Sequence, residues 1–269
     1  MVYNMANNYY YGKSNTAPKV ENTHLTLIEN GAVVKPIKYN KNGTVKKTRC
    51  NKQTGKSSEV YAFRTEEELK AVYSVLDDRI ESATNNEDRQ IAYRNKLLFV
   101  LGIHLGIRAS DLRTLRWSFF FDNDGNFKEC YTIQPKKQKK YNKFVTLFFN
   151  DTTKKAIMNY LSVYPYKNVN DLLFKSREGT DSIKEATIWN IIDKVAKEAG
   201  IKQNIGSHSL RKTFGYWIWH NAQDKNKALV ILMKIFGHSD TATTAKYIGI
   251  TTDEISETFD SLSLDFGCV

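Results

Sequence analysis

Apolar residues along this chain recur at helical spacing, switch to alternation near its middle, and then return to helical spacing. A mainly α fold carrying a small antiparallel β-sheet (α+β) accommodates both switches. Thr65-Glu66-Glu67-Glu68 has the form of a capping box, and Leu69, Val72, Tyr73, Leu76 and Ile80 make the apolar face of the helix behind it. Thr84 to Asp88 reads as a loop. Ile91 to His104 reads as a buried helix, nearly continuous in Leu97, Leu98, Val100, Leu101 and Ile103, and Ser110 is placed to cap a short helix over Asp111 to Leu115. From Ser118 to Phe149 the period is two. Phe119 to Phe121 and Phe127 to Ile133 flank the turn Asn123-Asp124-Gly125, and a third strand, Phe144 to Phe149, follows the lysine-rich turn Pro135 to Asn142. Helices resume at Asn150-Asp151, with Ala156, Ile157, Tyr160 and Leu161 as the apolar face. Ser182-x-x-Glu185 caps the next, which carries Ile188, Ile191, Ile192 and Val195 and ends at Gly200. A helix after His208 is rich in aromatics, and one bearing Leu229, Leu232, Met233 and Phe236 stops at Gly237.

Residues 1–60 have a different character. Ten Lys/Arg there, among them Lys46, Lys47 and Arg49, face only Glu21, Glu29 and Glu59, a net +7 of the +11 on all 269 residues. Weak alternation at His24 to Ile28 and Ala32 to Ile37, split by Asn30-Gly31, predicts a hairpin, whereas Asn40 to Ser58 is too basic and polar to order without a partner. The segment reads either as a solvated tail or as a DNA-contacting arm. A pI near 9.3 calls for a polyanionic partner, nucleic acid or an anionic membrane surface. No apolar run is long enough to span a bilayer and no charged leader precedes one, so the chain is expected in the cytoplasm. Cys50, Cys130 and Cys268, odd in number and widely spaced, form neither a disulfide framework nor a zinc motif.

Arg108 lies between a buried helix and a capped one, and Asp111 follows three residues on. Taken alone the two read as an ordinary ion pair, because a buried guanidinium needs a partner. His208 and Arg211 share a helix face near the free N–H groups of the helix start, either a solvent-facing pair or an anion site. His238 follows Gly237, and Tyr247 comes nine residues later on a short helix that Ser239-Asp240-Thr241 can cap. In isolation such a tyrosine is a core residue with its hydroxyl at the edge. Together, in this order, the parts suit one chemistry. A phosphodiester gains a second negative charge in a pentavalent transition state, which two arginines and imidazole donors match. A phenol can attack phosphorus and conserve the bond as an ester, and a lysine on a turn can protonate the departing 5′ oxygen. No carboxylate cluster of the kind that holds Mg2+ is present, so neither a metal nor another cofactor is expected.

The motifs, in this order and at these separations, resemble the catalytic core of the tyrosine recombinases, the phage-integrase family. Leu105-Gly106-Ile107-Arg108-Ala109-Ser110-Asp111-Leu112 is similar to the family's first arginine box, with Asp where Glu is commoner. His208-Ser209-Leu210-Arg211 is similar to its H-x-x-R, and Gly237-His238 with Tyr247 to its closing box. The likeness runs from Thr65 to Asp260. It implies a tyrosine-recombinase-like catalytic domain over 61–269 that cleaves and rejoins DNA through a 3′-phosphotyrosyl intermediate, in a phage or other mobile element. Tyr247 would be the nucleophile and Arg108 and Arg211 the clamp on the scissile phosphate. His208 would assist proton transfer, and His238 would donate to a phosphate oxygen. Lys137 best matches the family's hairpin lysine, with Lys136 and Lys139 as alternatives. Lys136, Lys139 and Lys140, together with Lys46, Lys47 and Arg49, would contact DNA. The amphipathic segment 251–264 resembles the helix that family members exchange between subunits, or else it packs on its own domain. Many members carry a helical core-binding domain ahead of the catalytic one. Here residues 1–60 would supply that second grip, or binding would lean on protein partners.

The partners implied are double-stranded DNA, a homotetramer assembled on it from a chain that is monomeric when free, and accessory DNA-bending or excision factors. A nucleoid location follows from that reading, and no membrane partner does. Two other readings stay open. One is a non-enzymatic DNA-binding regulator on the same scaffold; the other is supercoil relaxation of the type IB topoisomerase kind.

Overall fold

The structure, a computed structural model, describes residues 27–29, 32–34, 60–176 and 180–250. The chain divides into two units, Met1–Lys56 and Ser57–Val269. In the first, β1 (Leu27–Glu29) and β2 (Ala32–Val34) form an antiparallel hairpin with Leu27 opposite Val34, at the place the alternation predicts. Lys46, Lys47, Arg49 and the tail 251–264 lie outside the described residues.

The second unit is mainly helical, as its periodicity requires. Helix α1 (Glu66–Glu81) opens on the predicted capping box: Thr65 accepts the Glu68 N–H at 3.1 Å and Glu68 accepts the Thr65 N–H. Helix α2 (Asn86–Leu105) starts five residues before the expected Ile91. Asn85 caps it by accepting the Asp88 N–H at 2.8 Å, so what reads as loop is an all-polar first turn. Helix α3 (Ala109–Leu112) is shorter and earlier than expected; Arg108, not Ser110, occupies its cap position.

The alternating stretch forms a two-stranded sheet rather than three strands. β3 (Cys130–Ile133) pairs antiparallel with β4 (Val145–Phe148), Thr132 opposite Thr146. The expected first strand is instead a 3-10 turn, Trp117–Phe119, touching its partner through one bridge, Phe121 to Phe127. Burial explains the departure. Trp117 and Phe120 are both fully enclosed, which a flat alternating strand with one wet face does not allow. The lysine-rich turn is itself a 3-10 helix, Lys136–Tyr141.

Helices α4 (Asp151–Val163) and α5 (Glu185–Glu198) follow, then α6 (Ser207–His220), α7 (Lys225–Phe236) and α8 (Thr241–Ile248). Ser182 does not cap α5. Lys184 holds that position, and the Ser182 hydroxyl accepts from Arg113 instead. The main core is built around α2, where Leu97, Leu98, Phe99, Val100 and Leu101 are all buried against α1, α4 and α6. Each such side chain contributes about 1.5–3 kcal/mol on burial. A smaller apolar cluster, Leu232, Phe236 and Ile248, joins α7 to α8 beside α6. Among the described residues no helix is long and apolar enough to cross a membrane.

Candidate active site

Helix α6 sets the frame. Arg211 faces inward from it and is only 5% exposed. The guanidinium donates to the carbonyl of Gly106 and, at 3.1 Å, to that of Phe236, while its carbon lies 4.3 Å from the Phe236 ring centroid. Gly106 ends α2 at φ +60, and the Phe214 ring leaves no room there for a β-carbon. A glycine is therefore what lets the end of α2, and with it Arg108, approach α6. Arg108 reaches the same Phe236 carbonyl at 3.4 Å.

Asp111 does not pair with Arg108 as its spacing suggests. The carboxylate accepts the backbone N–H of Lys136 at 2.9 Å and so pins the start of the lysine-rich turn against α3. This brings Lys137 close enough to act on His208. His208 keeps an exposed face; its pKa is lowered by partial burial first, then by the charges of Lys137, Arg211 and Arg108, against a smaller rise from Glu185. Lys136 and Lys139 project from the same turn with exposed side chains, and Lys140 belongs to it too.

Gly237 ends α7 in the left-handed region and turns the chain to His238. The Thr244 hydroxyl lies 3.0 Å from His238 Nδ1 and 3.2 Å from the Asp240 carbonyl, and so orients the imidazole ring from the first turn of α8. Burial, then Arg211 and Arg108, lower the His238 pKa, partly offset by Asp240. Asp240 caps α8 by accepting the Thr243 N–H at 2.6 Å, and its hydrogen bonds to Ser239 and Thr243 hold its carboxyl at about 2.

Tyr247 lies on α8 with its ring 5.2 Å from the His238 ring and 5.3 Å from Phe236, edge to face in both cases. Its hydroxyl is buried and makes no hydrogen bond of good geometry among the described residues. Burial raises the phenol pKa, while the charges of Arg211 and Arg108 lower it. Burial lowers Arg211 in turn, to about 10, so it stays charged at neutral pH. Arg108, His208, Arg211, His238 and Tyr247 therefore form one electrostatic neighbourhood, with Lys137 at its edge beside His208. Lys46, Lys47 and Arg49 cannot be placed in it, since they fall outside the described residues.

Two residues in this neighbourhood escaped the sequence reading. Lys212 is buried, with Nζ 5.6 Å from the Tyr247 ring centroid. Phe236 supplies both the shared carbonyl and a ring beneath Arg211. Neither carries a sequence signal, because a lysine after an arginine and an aromatic at a helix end are commonplace.

The phage integrase family profile matches residues 65–254. The probable integrase/recombinase YoeC of Bacillus subtilis (strain 168) is 31% identical over 160 residues, 60% of this chain and 80% of that protein. Tyrosine recombinase XerA of Pyrococcus horikoshii is 25% identical over 200 residues, 74% of this chain but 61% of the relative. Among solved structures, XerA recombinase superposes with a TM-score of 0.54 at 21% identity, covering 77% of this chain and 66% of that one. XerH site-specific recombinase, bound to a palindromic difH substrate in a post-cleavage complex, gives 0.55 at 22%, covering 76% and 54%. Those two likenesses concern the fold. With well over half of its length matched by the profile, the chain belongs to the phage integrase family.

Proposed function

We propose that this chain is a site-specific DNA recombinase that cleaves and rejoins strands through a 3′-phosphotyrosyl intermediate, in a phage or other mobile element. One observation carries the reading: the charges of Arg108 and Arg211 act on His208, on His238 and on the Tyr247 phenol, whose hydroxyl is buried without a well-placed partner among the described residues. A scissile phosphate seated between the arginines would meet charge-assisted donors, whose effect grows as negative charge accumulates on its oxygens. Tyr247 Oη attacks phosphorus, the bond to the 5′ oxygen breaks, and the DNA remains joined through a 3′-phosphotyrosyl ester. The phenolic proton passes to His208. Lys137 gives a proton to the departing 5′ oxygen, and His238 donates a hydrogen bond to a phosphate oxygen. Attack by a 5′ hydroxyl from a second duplex reverses each transfer and yields the exchanged strand.

Exchange between two duplexes needs a cut in each of four strands, which fits four copies of the chain on DNA. The basic segment 1–60 would grip the duplex opposite the catalytic unit, and segment 251–264 would dock on a neighbouring copy. On a nicked suicide duplex carrying the source element's end, the wild-type chain should form a covalent protein–DNA adduct and Tyr247→Phe should form none. An adduct persisting in the mutant would remove the basis for the assignment.

A further inference from the structure

Arg64 lies outside everything assigned above. It ends an extended segment that runs along α6: the Phe63 N–H donates to the Thr213 hydroxyl at 2.9 Å, and the Phe63 carbonyl accepts the Trp217 indole N–H at 2.9 Å. The guanidinium carbon of Arg64 is 5.2 Å from the Tyr61 ring centroid and 5.3 Å from that of Tyr216, which α6 carries. From this seat a terminal nitrogen donates to the carbonyl of Gly249, the residue that ends α8 two positions after Tyr247. Gly249 sits at φ +78, and the guanidinium leaves no space there for a β-carbon.

Two features argue that this contact serves position rather than bulk stability. The Arg64 Nε is buried without a protein partner among the described residues, an unfavourable arrangement for a group retained only for packing. Moreover α8 has eight residues, too few to hold its own shape, and of its residues only Thr244 and Ile248 are fully buried. Its orientation therefore depends on the packing of Ile248 against Leu232 and Phe236 and on what holds its two ends. Asp240 holds the start, and a cation at the carboxyl end also complements the partial negative charge of the last carbonyls.

We infer that Arg64 is a positioning residue for Tyr247. By clamping the Gly249 carbonyl against α6, it fixes the phenol relative to Arg211, which the same helix carries. The catalytic consequence rests on Tyr247 being the nucleophile; the clamp itself does not.

The test uses the full chain and two variants. Arg64→Met keeps a stem between the two tyrosine rings and removes the donor, while Arg64→Lys keeps the cation with a different reach. Hydrogen exchange read by mass spectrometry is compared between residues 241–249 and α2, alongside single-turnover adduct formation on the nicked suicide duplex and the Kd for DNA. In Arg64→Met, exchange over 241–249 should rise about tenfold with α2 unchanged. Adduct formation should slow about tenfold or more while Kd stays within about twofold, as expected when a reacting group is misplaced and the grip on DNA is intact. Arg64→Lys should fall between wild type and Arg64→Met, and it decides the matter alone if the methionine variant does not fold. Unchanged exchange over 241–249, or an equal rise in every helix, overturns the inference. A wild-type chain that forms no adduct would instead overturn the role of Tyr247, and the exchange comparison would still decide whether Arg64 holds α8.

Discussion

Arg108 and Arg211, far apart in the chain, donate to one acceptor, the carbonyl oxygen of Phe236, at 3.4 and 3.1 Å. Two guanidinium groups of like charge share a site only if something negative offsets them, and the shared carbonyl and the charge of Asp111 do so only in part. The arrangement is thus poised for an anion. Replacing Arg108 with Lys keeps the charge but loses the planar fork. Arg108→Lys should slow adduct formation by about 10²–10³, the cost typical of losing one well-placed transition-state donor, with little change in DNA affinity. Single-turnover cleavage and a binding isotherm on the same duplex separate the two effects.

The histidines predict the pH response. His104 and His238 are both held below the ordinary imidazole value, with burial as the first cause. As pH falls, the unfolded chain therefore takes up protons before the folded one. Stability should be level above the unfolded value of about 6.5 and should decline below it, down to the folded values. Denaturant midpoints between about pH 5 and 8 check this. His208 is lowered as well, so cleavage at subsaturating DNA should lose its acid limb below the usual histidine range.

Lys137 is the turn lysine whose charge reaches His208, and Asp111 anchors its turn through the Lys136 N–H. Lys137→Ala should slow cleavage by about 10²–10⁴, the usual contribution of a positioned proton donor. A 5′-bridging phosphorothioate duplex, whose sulfur leaves without a proton, should restore the rate. Asp111→Ala should show a smaller loss, rescued by the same substrate, because it frees the turn rather than removing the acid. If Lys136→Ala or Lys139→Ala gives the rescued phenotype and Lys137→Ala does not, the assignment moves to that residue.

Lys46, Lys47 and Arg49 belong to a segment holding +7 of the chain's +11. If they contact phosphates, replacing all three with Ala should make the slope of log K against log salt shallower by roughly 2–3, at about 0.9 per phosphate contact. Titrations at several salt concentrations measure this, and an unchanged slope would assign the segment to solvent.

Much of the fold was legible because local signals agreed with it. The Thr65–Glu68 capping box, the glycine after Phe236 and the apolar faces of α1, α5 and α7 each announce their helix. The failures share a cause. The Asn85 cap precedes a polar turn, so periodicity cannot see it, and Phe119 to Phe121 reads as a strand although Trp117, Phe120 and Phe121 are all buried, from both faces. At the site, order and spacing identified Arg108, His208, Arg211, His238 and Tyr247 as a set. The contacts that orient them stayed hidden. Asp111 reads as the partner of Arg108 yet serves Lys136, and Arg64 meets Gly249 across most of the chain, with nothing local to announce either contact.

Digestion of the trapped adduct, followed by tandem mass spectrometry, identifies the residue that carries the DNA. The expected product is a nucleotide attached through its 3′-phosphate to the oxygen of Tyr247. A nucleotide on any other residue, or one attached through a 5′-phosphate, would contradict the mechanism.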